Sequence, residues 1–382
     1  MQRLLSFLCL FFALFLFPPL VQAEETQKAV EAPKNGDEAK QSIDSEEAKA
    51  LAQKKAQEEA QSLKAIQELL DKKAYQEAAS RLKELVAAGN AEAMYVLGYL
   101  TMQGQGVKKN TKAACELYRK AANLGDMRAQ TALGKAYALG EGVKRSYHDA
   151  AIWFRKAADQ GVAMAQYNLG FLYAHGRGLP KDEKAACEWL SKAAEQGLAD
   201  AQYSLGWLYL NSTGELQNDV QALHWLEKAA EQEHVKAQNN LAYLYAEGKG
   251  GEAQPDKALY WYTKAAEQDY PVAAYNLGVM YEQGVGIAQD YDKAFAWYKK
   301  AAEQNEPAAQ YCLGVLYDQG TGVAPNHQEA IRWYRLAAKN GDPDAKKELM
   351  AIERSNSLNK KDPEKKSGKK EKSKKEKNKA DR

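Results

Sequence analysis

The phrase Ala165-Gln-Tyr-Asn-Leu-Gly-Phe-Leu-Tyr173, followed by Gly176-Arg-Gly178, returns along the chain at a fixed interval. Near-copies begin at Ala129, Ala201, Ala237, Ala273 and Ala309, with a looser one at Ala93, each 36 residues after the one before. Seven units therefore cover residues 93–344 of a 382-residue chain without insertion or deletion. Self-similarity at such a period means stacked supersecondary units that bury a continuous core between neighbours. The length alone would allow two or three globular domains, but one solenoid uses it more naturally. Such arrays work through a surface more often than through a pocket.

Each unit reads as two helices, and nothing in it alternates like a strand. Helix A takes its first turn near Ala91, Met127 or Pro271; Pro271, Pro307 and Pro343 share that phase, where a missing N–H costs nothing. It ends before a Gly-x-Gly such as Gly104-x-Gly106, whose first glycine suits a left-handed helix stop. Helix B starts after Asn110, Ser146, Asp182, Asn218, Asp290 or Asn326, all good N-caps in one phase, with Gln254 the exception. It stops at Gly125, Gly161, Gly197 or Gly341, with Glu233, Asp269 and Asn305 in their place in the middle units.

The same alignment predicts the core. Leu97, Leu133, Leu169, Leu205, Leu241, Leu277 and Leu313 recur, each but Leu241 followed by a glycine that lets another helix approach closely. Tyr137, Tyr173, Tyr209, Tyr245, Tyr281 and Tyr317 lie four residues past the Leu, on the same helix face. On helix B, Trp153, Trp189, Trp225, Trp261, Trp297 and Trp333 share one position, and paired alanines such as Ala157-Ala158 and Ala265-Ala266 close the packing. These aromatics read as structure and not as a ligand box.

The flanks are of different composition. Arg3, an apolar run from Leu4 to Phe17, Pro18-Pro19 and Val21-Gln22-Ala23 read as a secretory signal over residues 1–23, cleaved near Ala23. The apolar run is short of the roughly 20 residues needed to span a bilayer. Residues 24–60, rich in Ala, Glu, Lys and Gln, are expected to form a mobile or weakly helical leader. Residues 61–92 carry helical spacing in phase with the units and are expected to be capping helices, with a further cap at 345–353. Residues 354–382 hold 13 Lys+Arg against 5 Asp+Glu, which leaves −6 for residues 1–353 out of +2 overall. This Lys-rich tail is expected to be disordered: either a solubilising tail or an electrostatic tether for anionic envelope surfaces, acidic proteins or nucleic acid. No aromatic residue interleaves with its lysines, which argues against specific nucleic-acid stacking.

Little in the chain points to catalysis. His148, His175, His224, His234 and His327 form no His-x-x-x-His pair, and there is no Cys-x-x-Cys, Gly-x-Ser-x-Gly elbow or P-loop. Gly-x-Gly recurs between helices and not after a strand, so it is no dinucleotide fingerprint. No cofactor or metal is expected. Cys115 and Cys187 lie two whole units apart, roughly 20 Å by helix packing distances, too far for a disulfide. They read as small buried hydrophobes.

The pattern A-x-x-x-L-G-x-x-Y-x-x-G-x-G-V, then K-A-x-x-W-Y-x-K-A-A-E-Q-G, resembles the Sel-one-like repeat, a relative of the tetratricopeptide repeat. Ala273, Leu277-Gly278, Tyr281, Gly284, Gly286, Lys293-Ala294, Trp297-Tyr298 and Ala301-Ala302-Glu303-Gln304 make an almost complete copy. The resemblance covers about two-thirds of the chain. It implies an all-α, right-handed superhelical solenoid of antiparallel helix pairs, and a scaffold or adaptor rather than an enzyme. Secreted or periplasmic bacterial members are linked with host interaction, envelope assembly and exopolysaccharide export. Some cysteine-rich members carry a disulfide within each repeat; the paired cysteines that would need are missing here.

If helix A lines the concavity, as in tetratricopeptide arrays, two positions per unit point inwards. The first holds Tyr95, Thr131, Tyr167, Tyr203, Asn239, Tyr275 and Tyr311; the second holds Tyr99, Lys135, Phe171, Trp207, Tyr243, Val279 and Val315. The second varies between units, which packing alone does not require. Phe171, Trp207 and Tyr243 in successive units, with Lys135 and His175 beside them, suit an extended peptide or a glycan. The expectation is an exported, periplasmic or secreted, protein-binding scaffold whose groove residues are Tyr99, Lys135, Tyr167, Phe171, His175, Tyr203, Trp207, Tyr243, Tyr275 and Tyr311. The alternatives are an envelope carbohydrate-binding or export-assembly factor and a secreted enzyme acting on cell wall. In a eukaryotic secretory lumen, Asn211-Ser-Thr213 would be a glycosylation sequon.

Overall fold

A computed structural model describes residues 36–361, with side chains described from 48 to 354. The signal-like segment, the first part of the leader and the Lys-rich tail from 362 onward lie outside the described residues. Among the described residues there are 17 α-helices and no strand. The chain divides into two compact units, residues 1–65 and 66–382.

In the first unit the described residues belong to one helix, α1 (Gly36–Asp71), which continues into the second. A mobile or weakly helical leader was the expectation there. Ala, Glu, Lys and Gln are strong helix formers even where no apolar face exists, and from 48 to 58 the residues are all exposed.

The second unit continues with α2 (Tyr75–Ala87) and then seven pairs, each with two 13-residue helices. Helix A of each pair is α3 (Ala91–Gln103), α5 (Met127–Leu139), α7 (Ala163–His175), α9 (Ala199–Asn211), α11 (Val235–Glu247), α13 (Pro271–Gln283) and α15 (Pro307–Gln319). Helix B is α4 (Thr111–Asn123), α6 (Tyr147–Asp159), α8 (Glu183–Glu195), α10 (Asp219–Glu231), α12 (Pro255–Glu267), α14 (Tyr291–Glu303) and α16 (His327–Lys339). From α2 to α17 each helix packs on the next one in the chain, the connectivity of a solenoid. A last helix, α17 (Pro343–Lys361), follows in helix-A phase, so helix continues past residue 353 into the Lys-rich segment.

Local chemistry sets these boundaries. Asn110, Ser146, Asp182, Asn218, Asp290 and Asn326 each accept a first-turn backbone N–H with their side chain. Gln254 makes no such bond, and Pro255 at the first helical position starts α12 instead. After helix B the chain turns through a left-handed residue. Gly125, Gly161 and Gly197 have open space where a Cβ would point, which is why Glu233, Asp269 and Asn305 can stand there with φ of 61°, 56° and 63°. The second glycine of each Gly-x-Gly has no such freedom. A Cβ on Gly142 would collide with the Thr111 carbonyl at the start of the preceding helix B.

The core runs through both layers. Leu133, Leu169, Leu205, Leu241 and Leu313 are fully buried. On helix B the deepest aromatic is the residue after the Trp phase: Tyr118, Phe154, Tyr262, Tyr298 and Tyr334, with Leu190 and Leu226 in two pairs. Trp189 and Trp225 are buried, whereas Trp153, Trp261, Trp297 and Trp333 are half-buried. Lys156, Lys192, Lys228 and Lys300 lie over the indoles of the Trp one helical turn earlier.

A ladder of amides ties successive pairs. Gln130, Gln166, Gln202, Gln238 and Gln310 are buried, and each donates to a helix-B carbonyl of the preceding pair, such as Ala194 for Gln202 at 3.1 Å. Their carbonyl oxygens accept from Gln160, Gln196, Gln232, Gln268 and Asn340, at the end of their own helix B. Ala274 interrupts the series, and there the Lys300 ammonium donates to Ala266 O at 2.8 Å instead. Cys115, Cys187 and Cys312 are free thiols.

Candidate peptide-binding face

The two helix-A positions singled out in the sequence differ in environment. Three tyrosines in the first position lean on their own helix B. Tyr95, Tyr275 and Tyr311 set their rings 5.9, 5.8 and 5.8 Å from Tyr118, Tyr298 and Tyr334. Tyr203 stacks on His234 at 4.6 Å, and Tyr167 packs against the core around Leu205. Burial pushes the phenols of Tyr95, Tyr167 and Tyr203 up to about 12. Their rings are mainly packing, with one edge left at the surface.

The second position is more open. Trp207 is 44% exposed and Tyr243 38%, the two large hydrophobics of helices A that stand out most into solvent. Tyr99, Lys135, Phe171, Val279 and Val315 are half-buried. His175 lies one turn beyond Phe171, stacks on it at 4.1 Å, and donates from Nδ1 to the Phe171 carbonyl at 2.9 Å. Asn211, at the same place in the next helix A, donates to the Trp207 carbonyl at 2.9 Å.

Three cationic or titratable side chains at this face were absent from the sequence-derived set. The Arg177 guanidinium lies 5.5 Å from the Phe171 ring and 5.7 Å from Tyr147. Lys249 lies 4.8 Å from the Tyr243 ring and donates to its hydroxyl at 2.9 Å. His234 caps α11 by accepting the Ala237 N–H at Nδ1, with Nε2 3.4 Å from Asp200. Arg177 and Lys249 both occupy the x of Gly-x-Gly, a position read only as turn; variation there was the available signal.

The loop between them is different. Helix α9 ends without a left-handed glycine: Ser212 is extended, and a 3-10 turn at Gly214–Leu216 leads to α10. Thr213 stands in the phase of Arg177 and Lys249.

A family model for the Sel1 repeat matches residues 91–126, 128–162, 163–198, 199–234, 235–270, 271–306 and 307–342. The chain belongs to the Sel1 repeat family. The matched units start one or two residues before the recurring alanine, at the first turn of helix A. No curated protein matches the sequence. Among solved structures, the Sel1 repeat chain is similar to c5321, a protective antigen of uropathogenic Escherichia coli with an SLR fold. Identity is 36% and the TM-score 0.64, over 70% of this chain and 57% of that one, so the match spans little more than half of c5321. It is also similar to a Sel1 repeat protein from Oxalobacter formigenes, at 33% identity and a TM-score of 0.60, over 72% and 80% of the two chains. Sel1 repeat proteins are commonly protein–protein interaction scaffolds, typically without catalysis.

Among the described residues no helix is long and apolar enough to cross a membrane, and no three His, Cys, Asp or Glu side chains are placed to hold a metal ion.

Proposed function

We propose that this Sel1 repeat chain is an exported scaffold that holds an extended segment of a partner protein along its helix-A face. The observation that carries the reading is Trp207. It is the one tryptophan outside the helix-B phase, and it stands 44% exposed between Phe171 and Tyr243, which occupy the same place in the pairs on either side. Aromatics exposed in series are typical interface anchors. Tyr99, Lys135, Tyr275 and Tyr311 extend the same face along the array.

Capture of the partner by wild-type chain and by Trp207→Ala, with Tyr260→Ala as an exposed helix-B control, tests the reading. Loss with the first variant alone is expected; equal capture by all three overturns it. Export rests on the sequence of residues 1–23, and places the protein in the periplasm or outside the cell. Mass spectrometry of the native protein should find Glu24 at or near the N-terminus; an intact Met1 would rule export by this segment out. The Lys-rich tail then serves as a tether to anionic envelope surfaces. Deleting residues 354–382 should weaken adsorption to anionic vesicles at low salt, and unchanged adsorption removes the tether role.

A further inference from the structure

Trp207 is the middle of three aromatics in phase, and the two outer ones are each covered by a cation of the chain. Arg177 lies against Phe171 and Lys249 against Tyr243. Thr213, in the same phase one pair on from Arg177, carries no charge, and the loop around it takes another path. The indole is therefore left as an open apolar platform with a ring-held cation in the pair on each side.

Neither cation has a carboxylate within ion-pair distance among the described residues. Asp219 and Glu247 act on Lys249 only through space. The hydrogen bond to Tyr243 raises the Lys249 ammonium above the ordinary lysine range, so it stays charged. An Arg laid on ring faces keeps its in-plane N–H donors free for a bidentate carboxylate. Residues 1–353 sum to −6, so two unpaired cations around one exposed Trp go against the charge of the body.

Spacing fixes the complementary ligand. Packed helices lie roughly 10 Å apart, and a polyproline-II segment rises about 3.1 Å per residue with about three residues per turn, so that every third side chain shares a face; successive pairs therefore match every third residue of such an extended segment. We infer that the partner segment is acidic: an apolar or aromatic side chain on Trp207, with a carboxylate about three residues to each side that pairs with Arg177 and Lys249. This rests on the proposed peptide-binding function and adds the chemistry of the partner.

The test uses the full chain and three dye-labelled peptides, Glu-Thr-Thr-Phe-Thr-Thr-Glu and its Gln-ended and Lys-ended forms, followed by fluorescence anisotropy. The Glu-ended peptide should bind about tenfold more tightly than the Gln-ended one, the Lys-ended one weakest. Arg177→Gln and Lys249→Gln should each weaken the Glu-ended peptide about three- to fivefold, the upper range for exposed pairs, and leave the Gln-ended one unchanged. Arg177→Lys, which keeps the charge, should lose less than Arg177→Gln. Raising the salt should narrow the gap between the peptides. Equal binding of Glu- and Gln-ended peptides, or preference for Lys, overturns the acidic segment. If Trp207→Ala still abolishes binding in that case, the binding face itself stands. Failure of all three peptides to bind at millimolar concentration overturns the inference as well.

Discussion

Gly134 on helix α5 and Phe154 on helix α6 are made for each other: a Cβ on the glycine would lie 2.7 Å from two carbons of the buried phenyl ring. The same contact recurs between Gly98 and Tyr118 and between Gly314 and Tyr334. Gly134→Ala should therefore cost about 1–3 kcal/mol, the range for overpacking a filled core, read as a lower urea midpoint. An unchanged midpoint would show that the two helices can separate freely.

Glu233 and Asp269 hold left-handed backbone that L-residues adopt only at some cost. Glycines in the same phase have nothing within 4 Å of a would-be Cβ. Glu233→Gly and Asp269→Gly should each raise stability by about 0.5–1 kcal/mol, since strain relief outweighs the added chain entropy. Asn305→Gly should change little, because Asn tolerates this region. Thermal melts of the three variants decide it.

Gln202 sits where loss of one side chain strands two partners, the Ala194 carbonyl and the Gln232 amide. Gln202→Leu should cost about 1–3 kcal/mol, the penalty for a buried group left without its bond. Lys300→Met should weaken the tie between its pair and the preceding one, and adding Ala274→Gln should recover part of the loss. A double-mutant cycle in urea measures both.

Alkaline pH should loosen the array. The phenols of Tyr95, Tyr167 and Tyr203 are raised to about 12 by burial, and so is the Cys312 thiol. A group raised on folding holds its proton longer in the native state, so its stabilising contribution is full below the unfolded value and is lost as pH rises towards the folded one. Stability should fall as pH rises from about 9 for the thiol and about 10 for the phenols up to about 12. Tyrosinate absorbance at 295 nm should rise together with loss of helix by circular dichroism. Ionisation of all tyrosines near pH 10 with helix intact would contradict the burial described.

The repeat phase made most of the fold legible, because every turn of this array uses local chemistry that can be read at a glance. N-caps, helix stops and the Leu-Gly step all fell where the period put them. What was not legible depended on contacts between units. Gln166 sits inside the opening phrase, yet its role appears only when Ala158 and Gln196 are seen on either side of it. The deepest helix-B aromatic is the neighbour of the Trp phase, because the wide indole stays nearer the outer surface under its lysine while the next residue faces the glycine. At the candidate face, Trp207 and Tyr243 were visible as departures from the motif. Arg177 and Lys249 were hidden in a turn, since charge in a loop reads as solvated until the ring beneath it is known. The stretch from Ala165 to Gly178 thus divides into Leu169, Gly170, Tyr173, Gly176 and Gly178, which build the pair, and Phe171, His175 and Arg177, which distinguish it.

Partners are proposed to meet this chain on its helix-A face, around Trp207. Site-specific photocrosslinking in living cells tests it, with benzoylphenylalanine placed at Trp207 or Tyr243 and, as controls, at the exposed helix-B residues Ile152 and Tyr260. One discrete crosslinked product is expected from the first two positions and none from the controls. The same product from Ile152 or Tyr260, with none from Trp207, would contradict it.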